Sequence, residues 1–287
     1  MKKKRYKVDN KKRKKYNFRE IEWKGEYKIN MIYINNKEKI EKLKQVKDYC
    51  VIMDFDRTIT TKTSEPSLGV LPNYFGGEFL VERTKIFNHY RPIELDYTLE
   101  EEEKKKIMKQ WAVDSFNLSS KYITKDAIDK ATDNSNMYLR KGAKEFFENL
   151  RDKNIPVIIM SAGIGNIIEK FLIKQNTYFN NITLISNFFK FEDEKAIIDL
   201  DNLISTSNKN YSAIPEEIRK ELENKGKILL FGDVVEDISM VNKNQLEKTI
   251  TIGFLDHGEE QNLEVYNKNF DIVLTNNSDF EVVKEVI

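Results

Sequence analysis

The chain has 287 residues, 40% hydrophobic and 33% charged, with a formal net charge of +1. That length holds one large domain or a core with a smaller companion, and no run approaches the roughly 18 apolar residues of a membrane span. Residues 1–15 carry ten Lys/Arg and one Asp, so this tail is +9 and the remainder −8; an acidic body is not the footprint of a nucleic-acid-binding domain.

Residues 1–46 read as a basic N-terminal extension, with a short strand in "YKINMIYI" and a helix in "KEKIEKLKQV". Its basic part lacks interleaved aromatics or a helical stripe, which favours a solvated segment over one that grips RNA or anionic lipid. It also lacks the apolar stretch of a secretory signal. The single cysteine, Cys50, sits in an apolar run and reads as a core residue. A cytoplasmic location is expected.

From Tyr49 the pattern alternates. "YCVIMDF" reads as a buried strand, "KGAKEFFENLRDKN" as an amphipathic helix, "IPVIIM" as a second strand and "GNIIEKFLIKQ" as a second helix. "ITLIS", "KILLFG", "KTITIGF" and "DIVLT" read as further strands, with a helix over "IPEEIRKELENKG". Apolar strands alternating with helices predict an α/β fold, a Rossmann-like parallel sheet with helices on both faces. Right-handed crossovers place the strand C-terminal ends on one edge, where ligands bind. Residues 65–139 interrupt this alternation with helical patterns, among them "ITKDAIDKAT" capped by Thr124. The expected division is a catalytic core over 47–64 and 140–287, with a mostly helical cap at 65–139 inserted after the first core strand.

Polar groups collect at the predicted strand ends. "VIMDFDRTIT" ends an apolar run in Asp54 and Asp56, which alternate in direction along the strand yet both reach a ligand at its tip. "FGDVVEDISM" adds Asp233 and Asp237, one helical turn apart. Four carboxylates around one crevice repel unless a cation joins them, and oxygen-only donors favour Mg²⁺. "IIMSAGIGN" supplies Ser161 and backbone N–H groups near Ala162 before a helix, an arrangement that attracts phosphate. "STSNKN" offers Lys209 to balance phosphate charge. The order carboxylate pair, serine, lysine, carboxylate pair points to phosphoryl transfer.

At these residues the chain resembles the phosphatases of the haloacid dehalogenase superfamily, and among them the cytosolic pyrimidine 5′-nucleotidases. "DFDRTIT", "IPVIIMSAGIGN", "LISNFFKF", "SNK", "ILLFGD" and "YNKNFDIVLTNNS" carry the likeness, with "IELD" and the pair Trp111 and Ser115. The resemblance implies a haloacid dehalogenase-like core and hydrolysis of a small-molecule nucleoside monophosphate, UMP or CMP. It implies Asp54 as the nucleophile that forms an aspartyl-phosphate, and Asp56 as the acid for the leaving oxygen and then the base for water. Mg²⁺ would be held by Asp54, the backbone carbonyl of Asp56 and Asp233, with Asp237 beside them. Ser161, Ala162 and Lys209 would hold phosphate, while Lys190 reads as a charge on a solvated turn. Glu94 and Ser115 match positions near base and sugar, and Trp111 reads as a core residue or a base platform.

The chain also departs from that family. Val234 and Glu236 stand where Ser and Gly are usual, Asn166 replaces an Asp, and Ala112 and Phe116 replace an aromatic and a His. The base pocket is therefore altered more than the phosphate site. His89 and His257 match no catalytic position. Two other readings remain open: the same chemistry on another small phosphomonoester, and a non-catalytic RNA-associated protein on this scaffold.

Overall fold

In a computed structural model, which describes residues 17–21, 28–94, 99–193, 195–206, 208–256, 260–276 and 278–286, the apolar runs pair into one sheet. Its strands are β1 (Asn17–Ile21), β2 (Lys28–Ile34), β3 (Tyr49–Asp54), β4 (Val157–Ile164), β5 (Ile182–Asn187), β8 (Lys227–Gly232), β9 (Thr249–Leu255) and β10 (Ile272–Thr275). The short pair β6 (Lys190–Glu192) and β7 (Lys195–Ile197) forms a separate hairpin. The sheet order is β1-β2-β10-β9-β8-β3-β4-β5, parallel from β10 to β5.

Period-2 alternation divides the core strands between two apolar layers. Val51 and Met53 face one layer and Cys50 and Ile52 the other. The first layer is covered by α1 (Lys37–Lys44), α6 (Ala143–Asp152), α7 (Gly165–Lys174) and α10 (Phe280–Val286), through Ile40, Phe147, Phe171 and Phe280 among others. The second is covered by α8 (Glu216–Asn224) through Leu222, and farther along by α9 (Leu263–Asn269) through Tyr266. Cys50 is fully buried, and burial pushes its thiol up to about 12, as befits a core residue.

The segment read as an N-terminal extension joins this core. β2 pairs antiparallel with β10 and β1 with β2, while Ile40 and Leu43 of α1 are buried. Without β2, β10 would present a bare sheet edge, and pairing it removes that liability. The basic residues 1–15 and His257 lie outside the described residues. Among the described residues no helix is long and apolar enough to cross a membrane.

Between the first core strand and the rest of the sheet stand α2 (Val70–Phe75), α3 (Gly77–Glu94), α4 (Glu101–Ser120) and α5 (Lys125–Asp133), the helical cap. Thr124 caps α5 by accepting the Ala127 N–H at 3.1 Å. The chain leaves and re-enters the core on two segments that run side by side: Thr61 N–H donates to Tyr138 O, Glu65 N–H to Asn136 O and Arg140 N–H to Ile59 O.

Arg140, the first residue back in the core, is 2% exposed and uses all five of its donors. Its guanidinium forks onto Asp256 at 3.0 and 3.1 Å and donates to the carbonyls of Arg57, Thr58 and Ser278. It also lies over the Phe254 ring, 4.2 Å from the centroid. One side chain thus ties the turn after β3 to the ends of β9 and β10. The turn needs that support, because Arg57 has a left-handed φ of 64°. Removing one partner of a buried pair leaves an uncompensated charge, so Arg140→Met is expected to cost roughly 3–5 kcal/mol in urea denaturation. A loss below about 1 kcal/mol would show that the clamp does not hold the fold.

Candidate active site

The parallel strands bring the expected residues to one edge. Asp54 is the last residue of β3 and pairs in register with Met160 of β4, the neighbour of Ser161. Asp233 directly follows β8, the strand on the other side of β3. The chain then turns through a 3₁₀ helix, Val235–Met240, which returns Asp237 beneath the strand end. Asp237 is fully buried, and its Oδ2 accepts the N–H groups of Asp233 at 3.1 Å and Val234 at 3.3 Å. This close approach needs the glycine before Asp233, since a Cβ on Gly232 would lie 2.4 Å from Asp237 Oδ2.

Lys209 reaches this group from the loop before α8. Its ammonium sits 2.5 Å from Asp54 Oδ1 and 2.6 Å from Asp237 Oδ1, and the side chain is buried. Burial acts to lower its pKa, but the two carboxylates outweigh burial and hold it above the ordinary value. Asp54 Oδ2 is buried with no hydrogen-bond partner among the described residues. Burial pushes the Asp54 carboxyl up to about 7 against the pull of Lys209, with the charge of Asp237 adding to the rise. Asp233 is likewise raised, by burial first and then by Asp54 and Asp237.

Oxygens of Asp54, Asp233 and Asp237 lie within 4.8 Å of one another. An unpartnered buried carboxylate oxygen inside an all-oxygen set of three acids, with one lysine to balance them, fits a hard divalent cation.

Asp56 points elsewhere. Ser67, at the root of the cap, occupies both its oxygens: the Ser67 N–H donates to Oδ1 at 2.9 Å and the hydroxyl to Oδ2 at 2.6 Å. Burial raises the Asp56 pKa and these two bonds oppose the rise. The Asp56 carboxylate is therefore not in the three-acid cluster, which leaves only its backbone carbonyl for the expected role as ligand. Ser67 in turn needs Gly163, where a Cβ would lie 1.9 Å from its hydroxyl.

β4 runs farther than the sequence suggests, to Ile164, through an irregularity between Met160 and Ile164. Ser161 is buried within it, its Oγ accepting the Gly163 N–H at 3.0 Å. Ala162 is half-buried and its carbonyl accepts from Asn187 at 3.0 Å. α7 begins at Gly165 with no side-chain cap, so its first N–H groups face the same edge. Asn166, where the family has Asp, both donates to the Phe189 carbonyl and accepts its N–H; an aspartate could only accept. Lys190 is exposed on β6.

A cavity lies between cap and core, lined by Trp111, Ala112 and Ser115 on α4, by Arg83 and Phe87 on α3, and by Ala162 and Ser205 below. Trp111 is half-buried and stacks on Tyr90 at 5.8 Å and 12°. Phe116 is buried against Phe189, and His89 is exposed, edge-on to Tyr90. Glu94 closes α3, but its side chain lies outside the described residues. Val234 and Glu236 are exposed, and Val234 supplies its N–H rather than a side chain to Asp237. Ser67, Arg140 and Arg83 had no assigned part in the sequence reading; only the turn-forming "TSEPS" around Ser67 hinted at a fixed loop.

Known proteins resemble this chain in sequence and fold. The model of the family described as pyrimidine 5′-nucleotidase (UMPH-1) matches residues 58–287. A human 7-methylguanosine phosphate-specific 5′-nucleotidase is 33% identical over 248 residues, covering 83% of each chain. A Drosophila melanogaster protein of the same name is 30% identical, covering 83% of this chain and 78% of its own. The solved structure of cytosolic 5′-nucleotidase IIIB bound to cytidine superposes with a TM-score of 0.74 at 27% identity, covering 87% of this chain and 89% of that one. A phosphoserine phosphatase captured as a phospho-aspartyl intermediate analogue shares the fold, with a TM-score of 0.53 at 17% identity over 85% of this chain and 100% of that one. By the span of the family match and the identity to these relatives, the chain belongs to the pyrimidine 5′-nucleotidase (UMPH-1) family, within the haloacid dehalogenase fold.

Proposed function

We propose that the protein is a Mg²⁺-dependent 5′-nucleotidase that hydrolyses pyrimidine nucleoside monophosphates, UMP and CMP, through an aspartyl-phosphate. The observation that carries this reading is Asp54: one oxygen held by Lys209, the other buried without a partner beside Asp233 and Asp237. Asp54 attacks phosphorus, a P–O bond to its carboxylate forms, and the bond to O5′ breaks. Asp56 gives its proton to the departing O5′, then takes one from the water that attacks the aspartyl-phosphate, which frees inorganic phosphate and restores Asp54. The Ser161 hydroxyl, the Ala162 N–H and Lys209 hold the equatorial oxygens and balance their charge in the transition state. Asp54, the backbone carbonyl of Asp56, Asp233 and Asp237 would hold Mg²⁺, which supplies charge neutralisation at the phosphoryl group.

The cap recognises the nucleoside in this reading. Ser115 faces the sugar, Trp111 offers the face that Tyr90 leaves open, and Glu94 accepts from base N–H groups. The cytidine-bound structural neighbour supports a pyrimidine. The names of the relatives favour a second substrate, 7-methylguanosine monophosphate. A cytoplasmic location belongs to the same reading, supported by relatives named cytosolic.

Two outcomes are expected. Asp54→Asn should lower phosphate release from CMP at least about a thousandfold while far-UV circular dichroism stays that of the wild type; wild-type-like turnover would remove the nucleophile. The second outcome concerns the cation. Asp54 is pushed up to about 7 and Asp233 is raised as well, so in EDTA the folded protein binds more protons than the unfolded chain between about pH 4 and 7. Stability in EDTA should therefore fall as pH rises through that window. Mg²⁺ needs the deprotonated acids, so its added stabilisation should be absent near pH 4 and grow toward pH 7. Thermal melts with and without Mg²⁺ across that range read this directly, and an equal Mg²⁺ effect at both ends would place the ion elsewhere.

A further inference from the structure

The cap helices meet along matched faces. On α3, Arg83, Phe87 and Tyr90 fall at i, i+4 and i+7, and on α4, Trp111 and Ser115 fall at i and i+4. Tyr90 covers one face of Trp111, and its hydroxyl is fixed by a 2.6 Å bond to Asp114. Phe87 meets Trp111 edge-on at 6.0 Å. Together they make a rigid aromatic wall beside the edge that carries Ala162.

Arg83 lies on this wall. Its guanidinium carbon is 5.4 Å from the centroid of Phe87, and the residue lines the same cavity as Trp111, Ser115 and Ala162. Among the described residues no carboxylate pairs with it, and burial holds its pKa below the ordinary value. The five N–H groups of a guanidinium donate and none accepts.

An aromatic pocket can hold a nucleobase in two ways. It can attract a cationic base to its ring faces, or it can stack a neutral base and hydrogen-bond its carbonyl oxygens. In this pocket the cation over the Phe87 ring is the protein's own. A second positive charge, such as the one that methylation at N7 fixes on guanine, is repelled by Arg83, whose guanidinium pairs with no carboxylate among the described residues. A cytosine or uracil carries no such charge, so its carbonyl accepts from the guanidinium without that repulsion, and a charged donor makes the stronger bond.

We propose that Arg83 is a specificity-determining residue that selects a neutral, carbonyl-bearing base and disfavours a base with a fixed positive charge. The inference rests on the nucleotidase reading above and deepens it, since it sets this chain apart from the substrate in its relatives' names.

The test is kcat/KM of the full chain with Mg²⁺ for CMP, UMP, 7-methylguanosine monophosphate and p-nitrophenyl phosphate, in wild type, Arg83→Gln and Arg83→Lys. Wild type should favour CMP and UMP over 7-methylguanosine monophosphate. In Arg83→Gln that preference should fall at least about tenfold, while p-nitrophenyl phosphate changes by less than about twofold. Arg83→Lys, which keeps the charge, should hold most of the discrimination. An unchanged preference in Arg83→Gln would overturn the proposal. So would an equal loss on the aryl phosphate, which would assign Arg83 to the phosphate or to the cap fold. Wild type that cleaves the aryl phosphate but no nucleotide would instead overturn the nucleotidase reading, and the role of Arg83 with it.

Discussion

The site depends on one buried ammonium. Lys209 stands between Asp54 and Asp237, each within 2.6 Å, and all three side chains are closed off from water. Three acids brought together at a strand edge would repel strongly in that surrounding, and one lysine offsets part of that charge. The remainder appears as the raised carboxyls of Asp54 and Asp233 and the bare oxygen of Asp54. The same excess of negative charge is what suits the cluster to a hard divalent cation. Gly232 and the 3₁₀ turn after it exist in this light to bring Asp237 close enough to share the lysine.

Around this centre, polar contacts join the cap to the chemistry. Asp56 is held by Ser67 where the chain climbs into the cap, and the turn that carries Asp56 is held by Arg140 where the chain returns. The outgoing and returning segments pair with each other through backbone hydrogen bonds. The residue read as the general acid is thus tied to both roots of the cap, while Asp54 sits at the end of a central strand.

Much of this was legible in the sequence because it follows a local period. The alternation of apolar strands and amphipathic helices gives the parallel sheet, and the sheet collects whatever polar residue ends each strand. Asp54, Ser161 and Asp233 could be placed together on that ground. Lys209 has no such position and was legible only through its order among the motifs. Partners set by the tertiary fold left no trace: Arg140 with Asp256, Ser67 with Asp56, and Phe87 of α3 with Trp111 of α4 as one wall of a cavity. The strand in "YKINMIYI" was readable as a strand, but not its place between β1 and β10, since a strand's own pattern carries no mark of the neighbours it pairs with. The departures at Val234 and Asn166 make contacts that the sequence hides. The first contributes a backbone N–H, and the second makes two hydrogen bonds to backbone.

Covalent transfer to Asp54 is tested most directly by an acid quench of the enzyme in the first moments of turnover with CMP, followed by peptide mass spectrometry. A phosphoryl group is expected on the peptide carrying Asp54, labile to hydroxylamine as an acyl phosphate is. A phosphoryl group on another residue, or phosphate release with none on the protein at any time point, would contradict it.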